Sequence, residues 1–195
     1  MGWVECITLF LIFPLIGIFG QAINILPLTI LALLSSTVLL LSMTRSFHWA
    51  DLVPVDALSE WRLLVGVSAV FIAGSFAVTT VFFPEELFQS SGGAELMLIA
   101  YPLLTALPVE LVYRALFFRR FGYLFKTQLL AILVGAAANG LLYFMLSHAL
   151  SGAVFGFVIG LVLGWAYLRS GQFALSVLMH WIAALAIWLI GPGLV

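Results

Sequence analysis

Residues 96–122 read LMLIAYPLLTALPVELVYRALFFRRFG, an apolar run that is long enough to cross a bilayer and that ends near Arg119 and Arg120. A bilayer core about 30 Å thick needs about 20 apolar residues in helical form, because lipid offers the backbone no hydrogen-bond partner. The same run contains Glu110 and Arg114, whose charges are costly at that depth and usually serve a function. It predicts a membrane-spanning helix with a polar site inside it.

The rest of the chain has the same apolar character. Of its 195 residues, 65% are hydrophobic, and 8% are charged where a soluble domain has about 25%. The interior of a soluble protein of this length could not hold so much apolar surface, so lipid must cover part of it. The chain also has only seven Lys and Arg residues and a net charge of −1, which excludes a basic nucleic-acid-binding face. Composition therefore predicts an integral membrane protein.

Further apolar runs predict an all-α, polytopic transmembrane helix bundle of about seven spans, within a range of six to eight. The first run is short and could instead form a tilted or re-entrant hairpin. Residues 1–195 are expected to form a single transmembrane domain with no soluble part. The predicted spans are approximately 4–20, 24–44, 63–83, 96–118, 128–148, 152–168 and 173–191.

The positive charges outside the spans lie in alternate loops. Basic loops remain in the cytoplasm, so this pattern predicts a cytoplasmic N-terminus and an external C-terminus. We expect a multi-pass protein of the plasma membrane, and the short chain without targeting extensions favours a bacterial inner membrane. The basic residues of these loops are Arg45 and Arg62 after span 2, Arg119, Arg120 and Lys126 after span 4, and Arg169 after span 6.

Span 6 has a glycine at every fourth position, and the four glycines share one helix face. Missing side chains allow a neighbouring membrane helix to approach closely. The row therefore predicts close packing of span 6 inside the bundle, in preference to homodimerisation or a functional groove. Its members are Gly152, Gly156, Gly160 and Gly164.

Ionisable or imidazole side chains lie in three of the predicted spans. Glu110 and Arg114 are four residues apart, which places them on one helix face within reach of an ion pair. Pro108 cannot donate a backbone hydrogen bond and so opens the helix just before them. His148 ends span 5, and His180 lies inside span 7. A carboxylate as general base, with imidazoles to orient a water or stabilise an oxyanion, can support hydrolysis.

These residues and their order resemble the CAAX-protease and bacteriocin-processing family of glutamic-type intramembrane proteases. The family carries Glu-Glu-x-x-x-Arg, Phe-x-x-x-His and His-x-x-x-Asn or Asp on three separate membrane helices. The second motif is intact here, from Phe144 to His148, and ALFFRRFG follows the first motif as it does in the family. The resemblance covers a core of about 96–191.

The resemblance implies an intramembrane endopeptidase that cleaves a membrane-associated peptide or protein and uses no cofactor. By that comparison Glu110 would activate water, His148 would orient it, and His180 would help to stabilise the tetrahedral oxyanion. Arg114 would hold Glu110 in place, and Phe144 would support the site. The expected partners are the substrate and the bilayer, and the oligomeric state is left open.

Two positions depart from the family pattern. When the first motif is aligned on Arg114, Glu110 takes the place of its second glutamate, and Val109 stands at the first. In the third motif His180 is present, but Ala184 stands where the family has Asn or Asp. The first glutamate is the one generally taken to activate water, so these substitutions put catalysis in doubt.

Three hypotheses remain open. In the first, Glu110 acts as the base in a variant protease, with Asn139 as a weak candidate to replace the missing Asn. In the second, the fold persists without catalysis in a binding, chaperone or immunity protein. In the third, Glu110, His148 and His180 bind zinc and leave one position open, although Arg114 competes for the carboxylate.

Helix geometry sets a condition on the enzyme hypothesis, which needs the three side chains within about 4–8 Å of one another. If span 5 begins near Gln128, His148 lies roughly 25–30 Å from the cytoplasmic side. Glu110 lies only about 12–15 Å from the basic pair at 119–120. Convergence therefore requires span 5 to start late or tilt steeply, or span 4 to extend.

Overall fold

The computed structural model describes residues 2–20, 25–45, 47–53, 59–88, 93 and 96–190. In this part of the chain every long element is an apolar helix, and no strand is found, so the predicted all-α polytopic bundle is confirmed. The helices are α1 Gly2–Phe19, α2 Leu26–Ser42, α3 Trp61–Phe82, α4 Met97–Leu124, α5 Gln128–Ser147, α6 Leu150–Ser170 and α7 Phe173–Ile190. Six are long and apolar enough to cross a membrane, and α2 is shorter at 17 residues.

The first span is a helix along its whole length and not a re-entrant hairpin. Its 18 residues extend about 27 Å at about 1.5 Å per residue, close to the thickness of the hydrocarbon core. Pro14 lies inside it, and the turns at Thr8–Ile12, just before the proline, are widened to π-helix. Such local widening re-satisfies the backbone groups that a proline disturbs in a membrane helix.

The longest helix, α4, is widened in the same way on both sides of a short α-helical segment. Pro102–Ala106 and Leu111–Phe121 are π-helical, and Leu107–Glu110 between them is α-helical. The helix also continues six residues beyond the predicted end at 118, to Leu124. Span 4 therefore extends further than predicted, which is one of the conditions under which His148 could reach Glu110.

The glycine row of α6 packs against α5, as predicted. A methyl group added at Gly160 would lie 2.7 Å from the Ala136 Cα, and one added at Gly156 would lie 2.6 Å from the Tyr143 ring. The two backbones are thus closer than any side chain at these glycines would allow. Asn139 strengthens the contact, because its amide donates a hydrogen bond to the Gly156 carbonyl at 2.7 Å.

Polar contacts locate the two faces of the bundle. Arg120, near the end of α4, lies 2.9 Å from Glu5 in α1 and donates to the Thr44 hydroxyl after α2 at 3.1 Å. At the other face, the Phe88 N–H donates to the carbonyl of Ile190 at 3.2 Å. The beginning of α1 and the end of α7 therefore lie on opposite faces, as seven spans require. Which face is cytoplasmic remains the prediction drawn from the basic loops.

Helix α4 lies at the centre of the bundle. Its Tyr113, Phe117 and Phe121 side chains are fully buried, and Phe10 of α1 packs edge-on against all three. A second apolar cluster joins α3, α6 and α7 on the other side of the bundle. The polar residues of α4 and α7 lie between these two apolar regions.

We predict that Gly160→Ala destabilises the protein more than Gly164→Ala. The new methyl group at 160 meets backbone at 2.7 Å, which must shift, whereas at 164 the nearest atom is the Phe118 ring at 3.4 Å, an ordinary contact. Overpacking costs about 1–3 kcal/mol, while Gly→Ala in an open helix position gains about 0.5–1 kcal/mol. Thermal unfolding of both variants in detergent measures the difference, and equal midpoints would contradict the packing described.

Candidate active site

Glu110 and Arg114 form a buried ion pair near the midpoint of α4. Both residues are fully buried, and Arg114 Nε lies 3.2 Å from Glu110 Oε2. The alignment is poor for a hydrogen bond, and among the described residues neither Glu110 Oε2 nor Arg114 Nη2 has a hydrogen-bond partner. The second carboxylate oxygen therefore retains its capacity to bind a further donor.

His180 of α7 binds the first carboxylate oxygen. Its Nδ1 lies 2.9 Å from Glu110 Oε1, and the imidazole is fully buried. With the proton on Nδ1, the neutral imidazole donates to the carboxylate and leaves Nε2 as an acceptor. Glu110 thus holds a partner from its own helix and one from α7.

Two tyrosines that the sequence analysis did not identify face the other imidazole nitrogen. The Tyr143 hydroxyl lies 3.0 Å from His180 Nε2, and the Tyr101 hydroxyl lies 3.5 Å from it. A hydroxyl in an apolar span is costly without a partner, so Tyr143, next to Phe144 in the second motif, offered a signal. Helices α4, α5 and α7 therefore all contribute to one polar cluster.

The widened turns of α4 explain why Tyr101 could not be assigned from the sequence. Nine residues separate it from Glu110, and in an α-helix at about 100° per residue this spacing places two side chains on opposite faces. In the structure both side chains contact His180. The π-helical turns at Pro102–Ala106 change the helical phase between them.

His148 occupies a different environment from the other predicted catalytic residues. Helix α5 begins at Gln128, so this residue lies about 30 Å along the helix, one residue past its end. It lies about 7–8 Å further along the axis than Tyr143 and about 140° around it. The side chain is exposed, and its ring centroid is 6.3 Å from that of Phe144. The predicted convergence is therefore observed for Glu110 and His180 but not for the exposed His148, whose role stays a prediction.

The backbone of His148 is itself unusual. It ends α5 in the left-handed region, with φ 53° and ψ 17°, and its N–H donates to the Phe144 carbonyl at 2.8 Å. A non-glycine residue pays about 1–2 kcal/mol for this conformation, although histidine is one of the residues that enter it more readily. Strain of this kind occurs at functional sites when the surrounding structure maintains it.

The positions that depart from the family motifs lie in apolar surroundings. Val109 is half-buried against the apolar cluster around α4, and Ala184 is buried beside Met97 and Tyr101. Asn139 is fully buried, and its amide is occupied by the carbonyl of Gly156 in α6. This residue therefore supports helix packing, which accounts for its presence without a role in the site.

The zinc hypothesis receives no support from the side-chain positions. Throughout the described ranges, no three His, Cys, Asp or Glu residues are grouped in a way that could hold a metal ion. Glu110 and His180 are in contact, but the exposed His148 does not complete a three-ligand set with them.

Comparison with known proteins gives a family match in the region that contains these side chains. A family model described as type II CAAX prenyl endopeptidase Rce1-like matches residues 92–186, just under half of the chain. Neither the curated proteins nor the solved structures gave a match. The match confirms the family resemblance drawn from the motifs, and the matched region includes Glu110, His148 and His180.

We predict strong coupling between Glu110 and Arg114 in stability. Arg114→Met leaves an unpaired buried carboxylate and should cost about 3–5 kcal/mol of unfolding free energy. Adding Glu110→Gln should recover most of this loss, because the amide oxygen is neutral and can still accept from His180. Unfolding in mixed detergent micelles measures the coupling, with Arg45→Met at an exposed position as the control. Additive losses in the double variant would show that the two charges do not interact.

Proposed function

Because residues 92–186 belong to the Rce1-like family of type II CAAX endopeptidases, we propose that this membrane protein is a glutamic-type intramembrane endopeptidase with Glu110 as its general base. The observation that carries the proposal is the buried chain of contacts from Arg114 through Glu110 and His180 to Tyr143. Such a chain holds a carboxylate in one orientation away from bulk water, which favours proton transfer at a fixed atom.

In the proposed reaction, Glu110 Oε2 removes a proton from a water molecule while the water oxygen attacks the substrate carbonyl carbon. The carbonyl electron pair moves to oxygen and forms a tetrahedral oxyanion. His180 donates from Nδ1 to the other carboxylate oxygen, Oε1, and the Tyr143 hydroxyl donates to His180 Nε2, so both side chains hold the carboxylate in position for the proton transfer. Glu110 then returns the proton to the departing amine as the C–N bond breaks. Arg114, beside Oε2, holds the carboxylate in place and compensates its charge.

His148 is proposed to join the site from the end of α5 and to orient the water. Its exposure leaves its side chain accessible to an approaching substrate, and its left-handed backbone conformation ends α5 at this residue and so determines where the side chain begins. Phe144, half-buried one turn earlier, packs near the imidazole and is proposed to limit its orientations.

The proposed substrate is a membrane-associated peptide or protein that is cleaved near its C-terminus or its leader. A site near the midpoint of α4 is far from bulk water, so a substrate must reach it from within the bilayer. A substrate whose membrane anchor is already inserted in the bilayer can follow this route without a further free-energy cost of insertion.

A non-catalytic function is favoured by one specific observation. Val109 packs against the apolar cluster around α4, and Ala184 is buried beside Met97 and Tyr101, so neither departing position brings a polar group to the site. In this alternative the Glu110, Arg114 and His180 cluster stabilises the bundle, and the protein acts as a binding, chaperone or immunity protein. The two proposals are distinguished by whether replacement of the Glu110 carboxylate changes the rate of substrate cleavage.

We predict that Glu110→Gln lowers peptide processing by about 10²–10⁴-fold while the protein stays folded, because the amide cannot act as a base. His180→Ala should lower it to a similar degree, and Tyr143→Phe should lower it less. Cleavage of a panel of membrane-anchored peptides in liposomes measures these effects. Tyr123→Phe, at an exposed tyrosine of α4, is the matched control.

The role of His148 has its own test in the same assay. His148→Asn preserves a residue that tolerates the left-handed conformation, so a loss of processing without a loss of stability would support the orienting role. Unchanged processing would remove His148 from the site. If wild type processes nothing and Val109→Glu with Ala184→Asn introduces cleavage, the chain is a degenerate relative.

A further inference from the structure

A groove of about 1000 Å³ lies between α3 and α6, apart from the Glu110 cluster. Its walls are aliphatic side chains of both helices: Leu63, Val67, Val70, Leu161 and Val162. Gly66 forms part of the floor, and a methyl group added there would meet no atom within 4 Å. The groove is therefore open at the surface that faces lipid and remains unfilled by the protein's own side chains.

Two arginine–tryptophan pairs stand at one end of this groove. Arg62 lies over the Trp61 ring at 5.6 Å, and Arg169 lies over the Trp165 ring at 5.5 Å. All four residues line the groove. Tryptophan is typical of the membrane–water interface, and arginine is the preferred partner of phosphate oxygens. This end has the chemistry of a headgroup site.

The length and the lining of the groove favour a lipid over a peptide as its occupant. From Arg62 to Val70 the wall extends about 12 Å along α3, enough for the upper part of an acyl chain. The aliphatic wall offers few hydrogen-bond partners, so a peptide lying there would leave its own backbone groups unpaired. An acyl chain carries no such groups and incurs no such cost.

We propose that this groove is a binding site for one anionic phospholipid. The phosphate lies between the guanidinium groups of Arg62 and Arg169, and one acyl chain lies along Gly66 and Val70. Among the described residues that line the groove, Glu60 is the one acidic side chain beside two arginines, so these residues carry a net positive charge. This rim is on the face that the basic loops predict to be cytoplasmic, where anionic lipids are concentrated.

The site is distinct from the proposed active site but is coupled to it through packing. Val67, in the wall of the groove, belongs to the apolar cluster that contains Met179, the neighbour of His180. A lipid that fills the groove would hold α3 against α6 and α7. Because it binds the folded state, it raises the unfolding temperature, and the rise grows with the logarithm of the lipid concentration once the site is filled.

Native mass spectrometry of the purified protein, with phosphatidylglycerol or phosphatidylcholine added in detergent, tests the proposal. Wild type should retain one phosphatidylglycerol molecule in preference to phosphatidylcholine and should unfold at a higher temperature with it. Arg62→Gln with Arg169→Gln should weaken retention by about tenfold or more, since two basic contacts to the headgroup are lost. Gly66→Leu should fill the groove and abolish retention of the lipid.

Two control variants test whether the loss of lipid retention is specific to changes in the groove. Gly74→Leu adds the same side chain to α3 at another open position, and Arg45→Gln removes a basic residue outside the groove. Both should retain phosphatidylglycerol as wild type does. Equal retention by Gly66→Leu and Gly74→Leu, or equal loss in all arginine variants, would overturn the proposal. A dimer in wild type that Gly66→Leu abolishes would instead assign the groove to a second copy of the chain.

Discussion

The bilayer requires the charge of Glu110 to be compensated inside the protein, because lipid can neither solvate it nor donate hydrogen bonds. Arg114 from the same helix supplies the opposite charge at 3.2 Å, and His180 from α7 supplies a contact at 2.9 Å. This constraint ties α4 to α7 at the depth where neither helix has access to water. The burial of α4 from Glu110 to Phe117 is consistent with the same requirement.

Packing between α5 and α6, away from Glu110, supports the contacts among Glu110, Arg114 and His180. The Tyr143 ring occupies space that any side chain at Gly156 would fill, so the glycine row of α6 also determines where the Tyr143 hydroxyl lies. That hydroxyl lies 3.0 Å from the second imidazole nitrogen and so takes part in the orientation of His180. The close approach of α5 and α6 therefore contributes to the geometry of the Glu110 carboxylate, two contacts away.

The sequence predicted most of the fold because lipid imposes a simple rule on length and hydropathy. Each predicted span corresponds to a helix, with bounds that differ by at most about two residues except at the end of α4, which extends six residues further. The Glu110–Arg114 pair was predictable because it lies within one helix. Contacts between helices depend on their relative rotation, which a sequence does not display. Tyr143 was therefore missed, and the π-helical turns of α4 concealed Tyr101.

The hydrogen bond between His180 and Glu110 is tested most directly by ¹⁵N NMR of the histidine-labelled protein, since the chain has only three histidines. His180→Ala assigns the signal. We expect a proton on Nδ1 and an accepting Nε2 in His180, with the Nδ1 signal shifted by Glu110→Gln and the Nε2 signal shifted by Tyr143→Phe. A proton on Nε2 with a free Nδ1, or signals that Glu110→Gln leaves unchanged, would contradict it.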